Sequence, residues 1–567
     1  MRKLLIVAFS AAALLTAVAR AQSFDYKKME QISKAATVKA YQSSVRIWGF
    51  DTAKQQQASA QFSGVVVSAE GHILTVAHAV VPGKVYKVFF TDGSERLATA
   101  LGRIGFKDKQ NMPDVAMMKL MGEGKWPYAE LGWSGSLKEN EPCISISYPE
   151  TLNQKQPSVR FGRISEPMNK WGFVVSTCKM EPGDSGGPLY DYLGRVVALH
   201  SRIDISESVN LEVPVDLYRK YWTALQKPED YAELPAEADE VASDPMKDKL
   251  MAMPGLADME SHSGKINLKH GDGAVKVESK LKGNPVSVSG TLFLFKLKGK
   301  AEYLLVSKSS LVGAEPGLVL YGGKHAGLEV IKRDADNDLV LMRLKPDPEN
   351  GAIRMLLKEA LSFNPADTAA VTTADLGRFL ISPVAPGDKR TSVLSSTNFS
   401  LPRKFSAGFF GAGANFINEE IILTRMAPGG PAEEAKLKLG DRIIGINGVP
   451  ISRPEHYGQE LIKYNPGDTI SIQGMRNGER YELMVGLRKM PGQGDHPAER
   501  FAGGKSLRLD GFSSVFSHDA LIRPEECGGP VFDLSGDFNG INIARFSRTS
   551  TLVMPRAVIY RFIAAAI

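Results

Sequence analysis

Three residues of the chain, His78, Asp114 and Ser185, have the side chains and the order that nucleophilic catalysis at a serine requires. A serine hydroxyl is a weak nucleophile at neutral pH, so Ser185 needs a base within hydrogen-bonding distance. His78 titrates in the useful range, so it can take the serine proton and later return it to a leaving amine. Asp114 would fix the imidazole tautomer and stabilise the imidazolium. The three residues therefore predict acyl transfer through Ser185.

The segment EPGDSGGP (residues 181–188) predicts a tight turn around this serine. Such a turn directs the backbone N–H groups of Gly183 and Ser185 at the oxyanion that develops during acyl transfer. One donor of this kind is worth roughly 3–4 kcal/mol. Gly186 and Gly187 have no Cβ atom, which permits a close approach of the backbone to its neighbours. We therefore expect Gly183 and Ser185 to form an oxyanion hole.

Four segments of the chain occur twice in the same order, which predicts an internal duplication. The pairs are GHILTVAHAV (71–80) with EYLLVSKSSLV (302–312), PDVAMMKL (113–120) with NDLVLMRL (337–344), EPGDSGGPLYDYLG (181–194) with PEECGGPVFDLSG (524–536), and LEVPVDLYRKYW (211–222) with LVMPRAVIYRFI (552–563). We call the two halves the first copy and the second copy.

The second copy retains the carboxylate of this set but neither the serine nor the histidine. Cys527 stands in the position of the serine, and Asp338 in the position of the aspartate. The alignment puts Ser309 in the histidine position, with Lys308 or Ser310 as adjacent alternatives. A thiol nucleophile would still need a base, and no histidine is present in this segment. The second copy is therefore predicted to be degenerate, that is, a pseudoprotease if the first copy is a protease.

The second copy also contains an insertion. Asp114 and Ser185 are 71 residues apart, whereas Asp338 and Cys527 are 189 residues apart. The 118 additional residues are enough for a small domain.

Within these additional residues, residues 421–487 combine β-type runs, short helices and an Asn-Gly hairpin turn. The pattern resembles a bacterial PDZ domain. This resemblance implies that C-terminal or extended peptides bind beside a sheet edge, with their carboxylate held by the N–H groups of a loop. The implied residues are Gly408, Phe409, Phe410, Gly411 and Ala412 in the loop, and His456, Tyr457 and Leu461 on the following helix. For the helix residues, ordinary helix packing is the open alternative.

Both copies consist of short β-type runs separated by Gly, Pro, Asp and Asn, which favours antiparallel barrels. In the two copies, helices are expected largely at residues 25–41 and after Pro214 and Pro555. The segments TVAHA (75–79), PDVAMMKL (113–120) and EPGDSGGP (181–188) occur in this order. With these three motifs, residues 43–222 resemble a trypsin-like serine protease of the chymotrypsin fold, most closely the HtrA-type exported bacterial branch. The predicted fold is therefore mainly β, with two trypsin-like double β-barrel domains, the second interrupted by an inserted PDZ domain.

The predicted boundaries follow from these segments and from an acidic, Ala- and Pro-rich linker between the copies. The units are a signal peptide (1–21), a trypsin-like domain (35–225), a linker (226–260), a degenerate trypsin-like domain (261–404 and 495–567) and a PDZ domain (405–492).

The first residues, MRKLLIVAFSAAALLTAVARAQS, have the charged, apolar and small-residue layout of a cleavable secretory signal. Cleavage would lower the formal net charge from +6 to +3, because it removes Arg2, Lys3 and Arg20 and no acidic residue. No long basic run or later apolar span is present, so neither nucleic acid nor a membrane span of the mature chain is expected. We expect an exported protein, periplasmic or secreted, that needs no metal or organic cofactor.

The three cysteines are too few for a disulfide scaffold. Because exported proteins can form disulfides, a bond between Cys143 and Cys178 is one possibility, and it would leave Cys527 as the odd thiol. Two buried free thiols are the other possibility.

Three basic side chains follow from the protease resemblance as candidates for the substrate pocket. His200 lies on the strand after the nucleophile, where related proteases line this pocket, and Lys179 and Arg202 could add positive charge. A preference for an acidic side chain at the cut site is therefore one hypothesis. The alternative is a small apolar pocket with these charges in solvent.

The function expected from the sequence is hydrolysis of peptide bonds in unfolded or extended polypeptides, with the PDZ and degenerate units serving in substrate binding or regulation. The rival is a peptide-binding or chaperone-like scaffold without catalysis. A third possibility is inhibition of the first copy by the C-terminal half, which predicts higher activity for a chain that ends near Leu225. Assembly into an oligomer is compatible with each of these.

Overall fold

The structure is a computed structural model, and it describes fourteen stretches of the chain. These are residues 25–105, 113–150, 152, 155–203, 206–207, 209–263, 268, 273–297, 300–345, 351–362, 370–385, 388–404, 406–491 and 496–567. The predicted signal peptide, residues 1–21, lies outside them.

The first copy begins with a six-stranded antiparallel barrel. Its strands are β1 (Ser44–Asp51), β2 (Gln56–Val66), β3 (His72–Thr75), β4 (Val85–Phe89), β5 (Glu95–Ile104) and β6 (Val115–Leu120). They pair in the order β5-β4-β1-β2-β3-β6, and pairing of β5 with β6 closes the ring. Buried and partly exposed residues alternate along β4 and β5, since successive side chains of a strand point to opposite faces.

The second barrel of the first copy is also closed. Its strands are β7 (Pro142–Ser147), β8 (Ser158–Glu166), β9 (Val174–Ser176), β10 (Pro188–Asp191), β11 (Val196–Ile203) and β12 (Asn210–Pro214). They form a ring in the order β10-β11-β12-β9-β8-β7. The short strand β13 (Asp230–Tyr231) joins the first barrel beside β5.

The second copy repeats the first barrel strand for strand. Its strands are β14 (Ala274–Leu281), β15 (Asn284–Leu297), β16 (Lys300–Lys308), β17 (Ala314–Val319), β18 (His325–Asp334) and β19 (Leu339–Leu344), and β20 (Leu361–Ser362) pairs with β15. The order β17-β18-β19-β16-β15-β14, closed by β14 with β17, has the same connectivity as the barrel of β1 to β6.

The last barrel strands of the second copy lie on both sides of the insertion. They are β21 (Phe379–Ala385), β22 (Asp388–Val393), β23 (Phe399–Leu401), β30 (Phe512–His518), β31 (Pro530–Asp533), β32 (Phe538–Arg545) and β33 (Thr551–Pro555). The order β22-β21-β31-β32-β33-β30 corresponds to β8-β7-β10-β11-β12-β9. A single bridge between Leu394 and His518 joins the two ends of this order. The inserted domain therefore occupies the connection that links β8 to β9 in the first copy.

The inserted domain has its own sheet. Its strands are β24 (Ala412–Ile417), β25 (Glu420–Met426), β26 (Arg442–Ile446), β27 (Val449–Pro450), β28 (Thr469–Arg476) and β29 (Glu479–Gly486). They pair in the order β24-β25-β26-β28-β29, with β27 beside β26. The predicted fold class, two double barrels with an inserted PDZ domain, is confirmed.

Helices are few among the described residues. They are α1 (Tyr26–Ala40), α2 (Val215–Lys220), α3 (Trp222–Leu225), α4 (Met259–His262), α5 (Gly351–Leu357), α6 (Pro431–Glu434), α7 (Pro454–Leu461) and α8 (Arg556–Ala564). Asp25 caps α1 by accepting a hydrogen bond from the N–H group of Lys28. None of the helices in the described ranges is long and apolar enough to cross a membrane.

The two copies share one apolar core, so they are not independent domains. Phe379 of the second copy is fully buried and packs edge-on against Tyr26 of α1 and Phe161 of β8. Its N–H group donates to the Glu30 carboxylate of α1 at 2.8 Å. Asp519 of the second copy accepts hydrogen bonds from the N–H groups of Phe161, at 3.0 Å, and of its own copy. These contacts fix the second barrels of the two copies against each other.

Phe379→Ala tests this shared core. We expect a loss of about 3–5 kcal/mol in the free energy of unfolding, because the cavity would lie between α1, β8 and β21. Phe416→Ala is the control, since Phe416 is 46% exposed on the inserted sheet. Chemical denaturation followed by intrinsic fluorescence measures both, and equal midpoints for the two variants would contradict a shared core.

Candidate active site

The three predicted residues lie on both sides of the cleft between the barrels of the first copy. His78 lies in a single 3₁₀ turn, Ala77–Ala79, directly after β3. Asp114 lies directly before β6, the strand that pairs with β3. Ser185 lies three residues before β10 of the second barrel. Closure of both barrels thus brings the three segments to one cleft.

Asp114 and His78 form a hydrogen-bonded pair. The Asp114 Oδ2 atom lies 2.7 Å from His78 Nδ1, and Asp114 Oδ1 accepts from the His78 N–H group at 3.0 Å. Ser201 Oγ donates to Asp114 Oδ2 at 2.6 Å. Burial raises the pKa of Asp114, but the hydrogen bonds from His78 and Ser201 outweigh burial, so the net pKa lies below its ordinary value. The pair therefore holds the imidazole with Nε2 directed away from the carboxylate.

Sequence reasoning missed Ser201. It carries no motif of its own, although it lies one residue after His200 on β11, the strand that follows the nucleophile. The His78 side chain is 50% exposed, so its outer nitrogen is accessible from the cleft. Among the described residues, no hydrogen bond joins Ser185 Oγ to His78. Catalytic hydrogen bonds often shorten only when substrate binds.

The turn at Ser185 can exist only with glycine at two positions. Gly183 has φ +96° and Gly186 has φ +79°, in the left-handed region that favours glycine. A Cβ atom on Gly186 would lie 2.1 Å from Thr75 Oγ1 and 2.3 Å from the Ser63 carbonyl oxygen. Within the described part of the chain, the N–H groups of Gly183 and Ser185 have no hydrogen-bond partner. Both N–H groups are thus available to a ligand oxygen.

A buried ion pair supports this turn from behind. Arg160 of β8 donates to both carboxylate oxygens of Asp184, at 2.8 and 3.3 Å. The two side chains are 2% and 0% exposed. Ser147 Oγ donates to the same carboxylate at 2.7 Å, as does the N–H group of Glu181 at 2.9 Å. Asp184, the residue before Ser185, therefore accepts four hydrogen bonds. Arg160 lies in no sequence motif, so sequence reasoning did not find it.

The three residues predicted for the substrate pocket all have partners. His200 is fully buried, with Nε2 2.6 Å from Ser145 Oγ and Nδ1 3.6 Å from the Glu212 carboxylate. The Lys179 ammonium group donates to Glu207 at 2.7 Å. The guanidinium group of the third residue, Arg202, lies over the Phe173 ring. Because acidic residues already accompany His200 and Lys179, the preference for an acidic substrate stays a hypothesis.

The cysteines of the first copy are free thiols in this structure. The Sγ atoms of Cys143 and Cys178 lie 3.8 Å apart, and both residues are buried. Of the two possibilities that the sequence left open, the structure has the pair of buried free thiols.

The second copy contains a different arrangement at the corresponding place. Asp338 Oδ1 accepts from the Ser310 N–H group at 2.7 Å, and Asp338 Oδ2 accepts from Ser310 Oγ at 2.8 Å. These two contacts are the ones that Asp114 makes with His78. Of the three residues that the alignment left open for the histidine position, Ser310 makes these contacts in the structure. Serines stand at both 309 and 310, so sequence letters alone do not define the register.

Lys308 and Cys527 are both buried in this second cleft. The Lys308 ammonium group contacts Asp338 Oδ2 at 2.8 Å and donates to the carbonyl groups of Arg508 and Ile543. Cys527 is 0% exposed, and burial raises the pKa of its thiol, although the charge of Lys308 partly opposes this. A buried, protonated thiol without an imidazole is a poor nucleophile.

In the inserted domain, some N–H groups of the predicted carboxylate-binding loop already donate hydrogen bonds within the domain. The N–H groups of Gly408 and Phe409 donate to the carbonyl groups of Tyr464 and Arg488. Within the described residues, those of Phe410 and Gly411 have no backbone partner. Ala412 begins the edge strand β24.

The α7 residues border this edge. Tyr457 is buried, packs edge-on against Phe410 and donates through its hydroxyl to the Ala412 carbonyl at 3.0 Å. His456 is half-buried, as is Leu461. Tyr457 is thus a packing residue in this structure, while the roles of His456 and Leu461 stay open.

Comparison with known proteins agrees with this description at the level of domains. Residues 62–199 match the trypsin-like peptidase domain, and residues 408–487 match the PDZ domain. The fold and the site thus define a trypsin-like peptidase domain joined to a second double barrel that carries a PDZ domain.

More particularly, the chain is similar to HtrA-type serine proteases. It is 31% identical over 172 residues to a probable periplasmic serine endoprotease DegP-like of Pseudomonas fluorescens, which covers 29% of this chain and 34% of that protein. It is 29% identical over 178 residues to serine protease HTRA1 of Xenopus laevis, covering 30% and 37%. The chain therefore covers little more than a third of these relatives.

Among solved structures, the serine endoprotease from Yersinia pestis aligns with 81% of this chain and 98% of its own. The identity is 14% and the TM-score is 0.28.

Glu212→Gln tests the buried group beside His200. Burial raises the pKa of Glu212 from 4.5 to about 7, although His200 and Ser176 lower it. Since the folded state holds this proton more tightly than the unfolded state, stability should fall as pH rises from about 4.5 to about 7. Glutamine keeps the acceptor for Ser176 and should flatten this fall by up to about 3 kcal/mol.

Chemical denaturation at several pH values measures the effect, with Glu455→Gln on the exposed start of α7 as the control. The same pH dependence in wild type and Glu212→Gln would contradict the assignment.

Alkylation by iodoacetamide tests the state of Cys527. Because the thiol is buried and its pKa is raised, native protein should react there roughly 10²-fold more slowly than protein unfolded in urea. Peptide mass mapping assigns the modified cysteine. Rapid modification of Cys527 in folded protein would mean that the second cleft holds an accessible thiolate.

Proposed function

We propose that the chain is a serine endopeptidase whose first copy hydrolyses peptide bonds through His78, Asp114 and Ser185. The observation that carries this proposal is the juxtaposition of two elements across one cleft. One is the imidazole fixed by Asp114, and the other is a nucleophile turn with two unpartnered N–H groups. The first supplies a base and the second supplies oxyanion donors, which are the two requirements of acyl transfer at a serine.

The proposed reaction proceeds in two steps through an acyl-enzyme. His78 Nε2 takes the Ser185 proton as Oγ attacks the peptide carbonyl, and Asp114 stabilises the imidazolium. The N–H groups of Gly183 and Ser185 bind the oxyanion. His78 then protonates the leaving amine, and the peptide C–N bond breaks. In the second step His78 activates a water molecule, which releases the acyl group and restores Ser185.

The proposed substrates are unfolded or extended polypeptides, and the proposed location is outside the cytoplasm. Both rest on similarity to HtrA-type serine proteases, one of which is named periplasmic, and on the signal-like residues 1–21. They do not rest on the geometry of the site. A preference for acidic side chains at the cut site is not included, since Lys179 and His200 already lie beside acids.

The second copy is proposed to be a pseudoprotease. The Asp338 carboxylate binds Ser310 and Lys308 where the first copy has the imidazole, and Cys527 is fully buried. Neither an imidazole beside the aspartate nor an accessible nucleophile is present at this position of the described chain.

The PDZ domain is proposed to bind extended peptides along β24. This strand pairs only with β25 in the described sheet, so its other edge can accept a peptide strand by backbone hydrogen bonds. The N–H groups of Phe410 and Gly411 would receive the terminal carboxylate. Peptide binding of this kind is compatible with both a protease and a scaffold.

A fluorophosphonate probe tests the catalytic proposal. The full chain should be labelled at Ser185, and Ser185→Ala should abolish labelling. His78→Ala should lower peptide hydrolysis by about 10⁴-fold or more, because the serine loses its base. Cys527→Ala is the matched control from the second copy and should keep wild-type labelling. Folded protein that is not labelled would favour the scaffold function.

A further inference from the structure

A loop of the second copy lies against the nucleophile turn of the first. Residues 546–550, the 546–550 loop, connect β32 to β33, and the corresponding connection of the first copy, between β11 and β12, contains Glu207. Arg548 Nη2 donates to the Glu207 carbonyl at 3.4 Å. The 546–550 loop therefore contacts the first copy at the corresponding connection.

The 546–550 loop lies close to Glu181, which belongs to the turn at Ser185. The Asp184 N–H group donates to the Glu181 carbonyl at 3.0 Å, and the Glu181 N–H group donates to the Asp184 carboxylate. The Glu181 side chain is buried at the contact between the copies. Burial raises the pKa of Glu181, while Arg160 and the nearby hydroxyl groups of Ser547 and Thr549 partly oppose this shift. A shift of the loop would therefore act on the turn through Glu181.

The second copy also holds Glu207. Its carboxylate accepts from the N–H group of Ala502, a second-copy residue, at 2.6 Å and from Lys179 at 2.7 Å. Lys179 is six residues before Ser185, so the Ala502–Glu207–Lys179 series joins the second copy to the start of the nucleophile segment. Glu181 and Glu207 are thus two attachment points on the same side of the site.

Arg548 lies between these attachment points. It is fully buried, and the nearby acidic charges are Glu207, Glu181 and Asp184. Among the described residues, its Nε and Nη1 atoms have no hydrogen-bond partner. The guanidinium group therefore makes few hydrogen bonds, and it interacts with the nearby carboxylates mainly through electrostatic attraction. Arg160 and Lys179 already pair with Asp184 and Glu207, so loss of the Arg548 cation would remove compensating charge mainly from Glu181.

We propose that the 546–550 loop is a positioning element of the first copy's active site, with Arg548 as its central residue. It holds Glu181 and Glu207 so that the Gly183 N–H group and Ser185 stay aligned with His78. The inference rests on the proposed peptidase activity. The sequence alone suggested that the C-terminal half could inhibit the first copy. The proposed role is the opposite, because the C-terminal half then supports the active site.

The test uses the full chain with Arg548→Met, which keeps the length of the side chain and removes its charge. We expect kcat on an unfolded casein substrate to fall roughly 10- to 100-fold, while KM changes less than about threefold, because alignment is lost and peptide binding is not. Arg548→Lys restores the charge and should recover most of kcat. Labelling of Ser185 by a fluorophosphonate should slow in parallel with kcat.

A second variant covers the case in which Arg548→Met does not fold. Ser547→Ala combined with Thr549→Val removes the hydroxyl groups beside Glu181, leaves Arg548 in place and should also lower kcat. Arg343→Met is the matched control, since this arginine of the same copy pairs with Glu302 at the surface of β19. Thermal unfolding verifies that each compared variant is folded.

The outcomes separate this inference from the function on which it rests. If the wild-type chain is not labelled at Ser185, the proposed peptidase activity fails. If the wild type is labelled and folded Arg548 or Ser547/Thr549 variants have unchanged or higher kcat, the positioning role is overturned. A fall of kcat in these variants, with recovery by Arg548→Lys and none in Arg343→Met, supports it.

Discussion

The close contact between the nucleophile turn and the facing barrel is the constraint on which both copies depend. In the first copy, a Cβ atom on Gly186 would lie 2.1 Å from Thr75 Oγ1. In the second copy, a Cβ atom on Gly528 would lie 2.1 Å from the Ser289 carbonyl oxygen and 2.7 Å from Ser307 Oγ. No other residue type fits such a gap without moving the backbone. This contact places the glycine-containing turn of the second barrel against the strands of the first barrel. The cleft is therefore formed by the backbone, independently of the side chains that line it.

The two copies show how separable the scaffold is from the chemistry. Strand connectivity, the 3₁₀ turn after the third strand and the aspartate before the sixth strand are the same in both. What differs is the group that the aspartate holds, an imidazole in one copy and a serine with a lysine in the other. The Asp338–Lys308 pair satisfies a buried charge that would otherwise be costly. The second copy therefore keeps a cleft of the same construction in which a serine and a lysine, and no imidazole, contact the aspartate.

Much of this architecture could be predicted from the sequence because its signals are local. The turn at Ser185, the ordered repeats and the Asn-Gly hairpin of the inserted domain each depend on a few consecutive residues. Arg160, Ser201 and the 546–550 loop were not predictable, because their partners lie far away in sequence and no residue type marks a buried pair. The sequence left Ser309 and Ser310 as alternatives for a related reason, since only the pairing of β16 with β19 defines which serine faces Asp338.

The contact between Glu30 and Phe379 has a consequence for how the chain acquires its structure. The two residues are 349 positions apart, so α1 leaves the ribosome long before its partner is made. Helix α1 packs on the second barrel of the first copy and on β21 of the second copy, and contacts of such long range form late. An N-terminal half that has just been synthesised therefore has one side of its core uncovered until the opposite end of the chain arrives. Ser185 is therefore synthesised before the residues that complete the core around its barrel.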